Sequence, residues 1–235
     1  MMMRLKFSKT GAMKYIGHLD VMRYFQKALR RASIPVKFSA GFHPHMLMSF
    51  AAPLSVGVES VAEYFDLELS EDMEPKDLVS RLNAEMAEGF AVLGACCVRG
   101  ERSAKAMSLV AAADYKVKLS GLADDACKRL TEGISDFLAR DSVAVIREGK
   151  KGTREIDIRP LIYCLRPEED GIFMSLASGS RGNCKPETVI FALAEPLQIP
   201  VDRTDLCILR LEVYARKDEE GKLLLPLDKL GEDDD

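Results

Sequence analysis

The stretch GHLDVMRYFQKALRRASIP, residues 17–35, decides how the rest of the chain is read. Leu19, Met22, Phe25, Leu29 and Ala32 recur at helical spacing and form an apolar stripe. Arg23, Lys27, Arg30 and Arg31 gather on another face. Asp20 falls in the first turn, where a negative charge suits the helix dipole. Pro35 disfavours helical geometry at Ile34, so the helix should stop there. The segment is therefore predicted to be a basic amphipathic helix, and its flanks set the architecture.

Before it, RLKFS (4–8) alternates, with Leu5 and Phe7 on one side, and reads as a strand. After it, VKFSAGF (36–42) and HMLMSFAAPL (45–54) read as extended or looped segments. AEYFDLELS (62–70) alternates as a strand. PKDLVSRLNAEM (75–86) is a second helix opened by Pro75, since proline fits the first helical position. GFAVLGACCV (89–98) is a buried strand. The order strand, helix, strand, strand, helix, strand is the split βαβ, or ferredoxin-like, pattern.

ERSAKAMSLV (101–110) is small, polar and charged, and begins a predicted linker over 101–113. The element order then recurs without residue-level repetition. ADYKVKLS (113–120) is a strand, and ADDACKRLTEGISDFLAR (123–140) a helix with Leu130, Ile134, Phe137 and Leu138 inward. SVAVIREGKKGTREIDIRPLI (142–162) reads as a hairpin turning at EGKKG. GIFMSLAS (171–178) is a strand, KPETVIFALAEPL (185–197) a short helix and LCILRLEVYAR (206–216) a closing strand. The expectation is an α+β protein of two tandem ferredoxin-like halves with antiparallel sheets. The first spans 1–100 and the second 114–216, with an acidic tail over 217–235 whose leucines could dock.

Composition narrows the class. The chain has 235 residues and a net charge of −4. No apolar run approaches the ~18 residues of a membrane-spanning helix, so no membrane association is expected. The start, MMMRLKFSK, lacks the apolar stretch of a signal peptide. Cys96, Cys97, Cys127, Cys164, Cys184 and Cys207 show no CxxC spacing and read as reduced thiols of a cytoplasmic protein. Charge is segregated. Arg4 to Lys37 carries nine cations against Asp20 alone, whereas Glu59 to Glu88 is acidic. Either the basic block meets an anionic partner, or the two blocks pair on folding.

Four constellations could carry chemistry. His43 and His45 flank Pro44, and His18 opens the basic helix. Four roles are open for them: metal ligation, acid/base catalysis, an RNA contact, or a turn whose side chains satisfy nearby backbone. The spacing matches no strong zinc signature, and no metal or other cofactor is expected. SGSRGNCKPET (178–188) is a small-residue loop leading into a helix, with Arg181 and Lys185 adding charge; it suits a phosphate contact or an ordinary strand-to-helix turn. GxxxxGK[ST] and GxGxxG are both absent, so nucleotide hydrolysis is unsupported. In REIDIRP (154–160), Arg154, Ile156 and Ile158 share one strand face and Glu155, Asp157 and Arg159 the other. The carboxylates could work as an acid/base pair, but a cross-strand ion-pair ladder is the favoured expectation, and KKGTREIDIR as a basic hairpin could also track a phosphate backbone. Finally, Phe7, Tyr15, Tyr24, Phe25, Phe38 and Phe42 interleave with the N-terminal cations, as stacking rings do in RNA-binding sheets, though most are expected in the core.

The stretch FSKTGAMKYIGHLDVMRYFQKALRRASIPVKFSAGFHPHMLMSFAAPLSVGVESVAEYFDLEL (7–69) closely resembles the N-terminal region of the radical-SAM-linked family of bacterial proteins. REIDIRPLI (154–162) and SGSRGNCKPETV (178–189) resemble its later motifs. One departure is Met46-Leu47, where that family often has Pro-Lys after the second histidine. The resemblance implies a substrate-recognition partner for a radical SAM enzyme encoded nearby and carrying a cobalamin-binding-like domain. This chain lacks the CxxxCxxC cluster motif and is not that enzyme.

The expectation is an RNA-binding partner protein in tRNA or rRNA modification, without catalysis of its own. Its contacts would come from Lys9, Lys14, Arg23, Lys27, Arg30, Arg31, His43, His45, Arg181 and Lys185. One alternative is a metal-independent endoribonuclease using His43 or His45, with His18 a further catalytic candidate. The tandem element order also looks like that of CRISPR repeat-processing endoribonucleases, a fold-level analogy. The other alternative is a protein-docking subunit without RNA contact.

Overall fold

The computed structural model describes residues 1–98, 105–149, 152–216 and 224–230; of Glu148 and Gly149 it describes the backbone alone. It is an α+β protein whose strand pairings are mostly antiparallel. Residues 1–111 together with 212–235 form one compact unit, and residues 112–211 form another.

In the first unit, β1 (Met2–Lys9) leads through a short 3-10 turn to α1 (His18–Arg31). Then come β2 (Met48–Phe50), β3 (Val58–Glu68), α2 (Pro75–Asn83), β4 (Phe90–Cys97) and a single helical turn, α3 (Ala106–Leu109). β1 lies between β3 and β4, with Leu5 opposite both Phe65 and Ala95. β2 pairs with β3 through Phe50 and Phe65, giving the order β4-β1-β3-β2, antiparallel throughout.

Alternation along β1 sends Leu5 and Phe7 to the helices and Arg4 and Lys6 to the other face. Phe7 meets Phe25 at 4.7 Å between ring centroids, and Phe25 meets Phe65 at 5.1 Å. Leu78 and Leu82 of α2 and Phe90 and Val92 of β4 complete this core. Each such side chain contributes about 1.5–3 kcal/mol by leaving water.

The buried stripe of α1 is Val21, Phe25, Ala28 and Leu29, rotated from the predicted one, and Leu19 is 59% exposed. Sequence spacing fixes the period of an amphipathic helix better than its phase. The helix stops before Pro35, as expected. Its end is a left-handed turn at Ser33 (φ 52°), with the Ile34 N–H reaching back to the Leu29 carbonyl. Arg81 of α2 donates to the carbonyls of Ala32 and Ser33, placing a cation at the negative end of the helix dipole.

In the second unit, β5 (Val110–Lys118) is followed by α4 (Asp124–Glu132) and α5 (Ile134–Leu138), so the single predicted helix is broken at Gly133. β6 (Ala144–Gly149) and β7 (Gly152–Asp157) form a separate two-stranded ribbon. β8 (Ile162–Glu168), β9 (Gly171–Ala177), α6 (Pro186–Ala194) and β10 (Cys207–Arg216) follow, with β10 from Glu212 onward belonging to the first unit. The strand order is β10-β5-β9-β8. Sequence reading missed β8. A register shift between Ile162 and Cys164 breaks the alternation that would have revealed it.

Two further expectations concern residues 101–113 and 217–235. Of the predicted linker, residues 101–104 lie outside the described residues, but Ala106 is buried in α3 and its N–H donates to Asp66 at 2.6 Å. Residues 110–113 already belong to β5. Of the predicted tail, 217–223 and 231–235 lie outside the described residues. β11 (Leu224–Pro226) pairs with Tyr214–Arg216 of β10, and Leu227 is fully buried. No helix among the described residues is long and apolar enough to cross a membrane.

Candidate functional site

Two motifs far apart in sequence meet in the second unit. The β6–β7 ribbon and the loop from Gly179 to Lys185 line one cleft of about 870 Å³. The ribbon folds back with Gly149 opposite Gly152, and this register sets Arg147 directly opposite Arg154. Like charges in that position destabilise a strand pair. Neither arginine forms an ion pair among the described residues.

Across the cleft, the Cys184 N–H donates to the Ala177 carbonyl at 2.9 Å and closes the loop. Gly179 (φ 112°) supplies a left-handed turn that a side chain would strain. Arg181 is exposed and unpaired among the described residues, while Lys185 lies 3.9 Å from Glu187. Pro186 opens α6, as the sequence predicts. Arg147, Arg154, Arg181 and Lys185 thus line the cleft together with the neutral donors Ser180 and Asn183.

The expected ion-pair ladder is not formed, because Glu155 faces Ile146 and Arg154 faces Arg147. Asp157 accepts the N–H groups of Val143 at 2.8 Å and Arg159 at 2.9 Å. These two bonds hold its carboxyl below the usual carboxylate range. It is a clamp at the base of the ribbon, not half of a proton-sharing pair. Arg159 donates to the Leu138 carbonyl through two nitrogens and is equally occupied. Burial, with the nearby Glu187 charge, pushes the Cys184 thiol up to about 12, so it is no thiolate nucleophile at neutral pH. The cleft sets four cations and several hydrogen-bond donors against the carboxylates of Glu155 and Asp157, the latter already taken up by two backbone N–H groups, and this net positive lining suits an anion.

The histidines lie in the first unit and have different partners. His18 sets its ring edge against Phe50, with centroids 5.2 Å apart. Phe38 bridges Met46, and the Ser39 hydroxyl meets both His45 Nδ1 at 2.8 Å and the His45 N–H at 3.1 Å. His45 is therefore part of the stem of a small hairpin, and His43 stands exposed on its tip. No group of three or more His, Cys, Asp or Glu among the described residues could hold a metal ion.

Most of the N-terminal cations already have partners. Lys9 is a correction: it is 2% exposed, and its ammonium donates to the carbonyls of Ile16 at 2.9 Å and Lys14 at 3.4 Å, so it cannot reach a ligand. Lys14 lies 3.9 Å from Glu59, Arg31 2.8 Å from Glu85 and Lys37 3.3 Å from Glu68. Arg4 and Asp66 are joined through two bonds of 2.8 and 3.2 Å. Here the basic and acidic blocks do pair with each other. Arg23 is exposed beside Asp20 at 3.2 Å. Lys27 and Arg30 are exposed and make no ion pair among the described residues.

Sequence reading had not singled out Arg147, although the signal was there. Arg147 and Arg154 are equidistant from the Lys150-Lys151 pair, so a hairpin that turns at those two residues opposes them.

Residues 2–186 match DUF2344, described as an uncharacterized protein conserved in bacteria, and the chain belongs to that family. The match takes in both ribbon strands and runs to the first residue of α6. No curated protein matches the chain.

Proposed function

We propose that this protein binds RNA and presents it to a radical SAM enzyme, acting in the cytoplasm in tRNA or rRNA modification. The observation that carries the RNA reading is the opposition of Arg147 and Arg154, facing Arg181 and Lys185 across one cleft. Two guanidinium groups side by side, without an ion pair among the described residues, cost stability unless an anion joins them, and the phosphate backbone supplies such anions in series. Lys27 and Arg30 of α1 make no ion pair among the described residues, and they add to the phosphate-binding surface of the first unit.

The same reading makes each unit a ferredoxin-like half. The orders β4-β1-β3-β2 and β10-β5-β9-β8 follow one scheme, with the β6–β7 ribbon inserted between the helices and second strand of the latter. The radical SAM partner is supported by the resemblance of residues 7–69, 154–162 and 178–189 to the family linked with such enzymes.

A gel-shift titration against total tRNA and rRNA tests the RNA claim. Four phosphate contacts to single-stranded RNA give a log–log salt slope of about −3, or roughly 50-fold weaker binding between about 50 and 200 mM salt. Arg154→Ala or Arg181→Ala should each reduce that slope by about 0.7. Folded protein that binds no RNA at low salt refutes the reading. Metal-independent cleavage lost in His43→Ala would replace it with a nuclease. Capture of the radical SAM partner after ribonuclease treatment, lost in R30E, would replace it with a docking subunit.

A further inference from the structure

Phe42 is fully exposed, at 101% of its reference surface, and it stands on the tip of the hairpin that carries His43. The stem beneath it is fixed. The Ser39 N–H donates to the His45 carbonyl at 2.9 Å and the Leu47 N–H to the Lys37 carbonyl at 2.9 Å. β3 pins the stem in turn, since the Lys37 N–H reaches the Glu68 carbonyl at 2.8 Å and the Glu68 N–H reaches the Leu47 carbonyl at 2.9 Å. Gly41, at φ 111°, bends the tip into a conformation few other residues adopt, and Pro44 restricts the return. The ring is therefore held out into water by a stem that does not collapse.

We propose that Phe42 and His43 form a stacking platform for unpaired bases of RNA. This rests on the RNA reading above and gives it a substrate class, single-stranded or looped RNA rather than duplex. An aromatic face pays little conformational entropy on binding, and every base has a face to match it. A ring on a protruding tip cannot stack on bases already closed into a helix, whose faces are covered by their neighbours.

Charge selects the same occupant. Between Asp20 and Glu59 the chain has no acidic residue, and of the cations in that interval Lys27 and Arg30 make no ion pair among the described residues. The neighbours of Phe42 on the tip are Ala40, Gly41, His43 and Pro44. One ring beside an imidazole suits a base better than it suits an apolar protein pocket or a lipid interior, which would call for a cluster of large apolar residues at the tip.

The test uses the whole chain and fluorescence anisotropy with two labelled probes, an unstructured oligouridine and a fully paired RNA duplex, with wild type, F42A, F42W and H43A. Exposure of Phe42 means that F42A should keep the native circular dichroism spectrum. F42A is expected to bind the oligouridine roughly 5- to 150-fold more weakly. Its duplex affinity and salt slope should not change, F42W should restore binding, and H43A should show a smaller loss. Replacing bases of the probe by abasic sites should weaken wild type and leave F42A unaffected. If wild type binds RNA and F42A binds oligouridine equally well, the platform is refuted and the RNA reading stands. If wild type binds neither probe, both are refuted. If F42A keeps RNA binding and loses co-purification of a radical SAM partner, the tip is a protein-docking element and the platform is refuted.

Discussion

In the first unit, the basic residues Arg4, Lys14, Arg31 and Lys37 each lie beside a carboxylate of the acidic block. In the second, Arg147 lies beside Arg154, and Arg181 has no ion-pair partner among the described residues. The basic block drew attention in the sequence because it was dense. The ribbon drew less, because its cations are interspersed with Glu155 and Asp157. Folding reverses that ranking. A cation in a dense block that is answered by an acidic block elsewhere becomes part of the fold. A cation whose register partner is another cation stays available to a ligand. Positive charge marks a binding surface only after pairing has been subtracted.

The strongest test of that contrast is Asp66→Ala. Asp66 takes two bonds from the Arg4 guanidinium and one from the Ala106 N–H, and both side chains are nearly inaccessible. Removing the carboxylate takes a counter-charge and two bonds from the buried Arg4 guanidinium, which keeps its bond to the Leu227 carbonyl, and the expected loss is about 3–5 kcal/mol of unfolding free energy. Urea denaturation measures it. Replacing both residues by apolar ones of similar size should be far milder, because no charge is then left unpaired. A loss below about 1 kcal/mol for Asp66→Ala would mean that these pairs do not bind the basic block into the fold, and the contrast between the units would fail.

How much of this was legible in advance follows from which signals are local. The strand of Leu5 and Phe7, the Pro75 and Pro186 helix starts and the stop before Pro35 all rest on neighbouring residues, and the structure has each of them. The phase of α1 was not local. It depends on which face meets Phe7 and Phe65, and Leu19 accordingly came out exposed. β8 was hidden by its bulge, and Lys9 looked like one cation among many until the carbonyls of Lys14 and Ile16 closed over it. The cleft was half legible. Both motifs were visible, but their meeting depends on how the ribbon lies against the α6 loop, which no residue in either motif encodes. Phe42 was one of six rings of which most were expected in the core, and a phenylalanine carries no mark of its exposure.

A sharper and smaller test is R147E. Substitution replaces a like-charge pair across the ribbon by an opposite-charge one, which is worth roughly 0.2–1 kcal/mol to the strand pair. The ribbon pairs with no other strand among the described residues, and an isolated two-stranded ribbon is marginal, so its amide hydrogen exchange should slow by a factor of a few. The same variant should weaken RNA binding. A gain in local stability together with a loss of ligand affinity is the signature of a site held in an unfavourable arrangement for its function. Faster exchange in R147E would show instead that the arginine stabilises the ribbon, and the opposition would lose its meaning.

The smallest effect concerns the weakest pair in the contrast. Arg31 and Glu85 are half exposed, with Nε to carboxylate at 2.8 Å and a second bond from Arg31 to the Glu85 carbonyl at 3.0 Å. A double-mutant cycle of Arg31→Ala and Glu85→Ala isolates the side-chain coupling from the backbone bond, which both Arg31 variants lose. The expected coupling is about 0.2–1 kcal/mol, screened further by salt. A value at the upper end assigns Arg31 to the fold and leaves Lys27 and Arg30 as the cations of its helix without an ion pair among the described residues. A value near zero means that the pair dissolves readily in water. Arg31 would then rejoin them as a phosphate contact, and the line between paired and available charge would run through α1 itself.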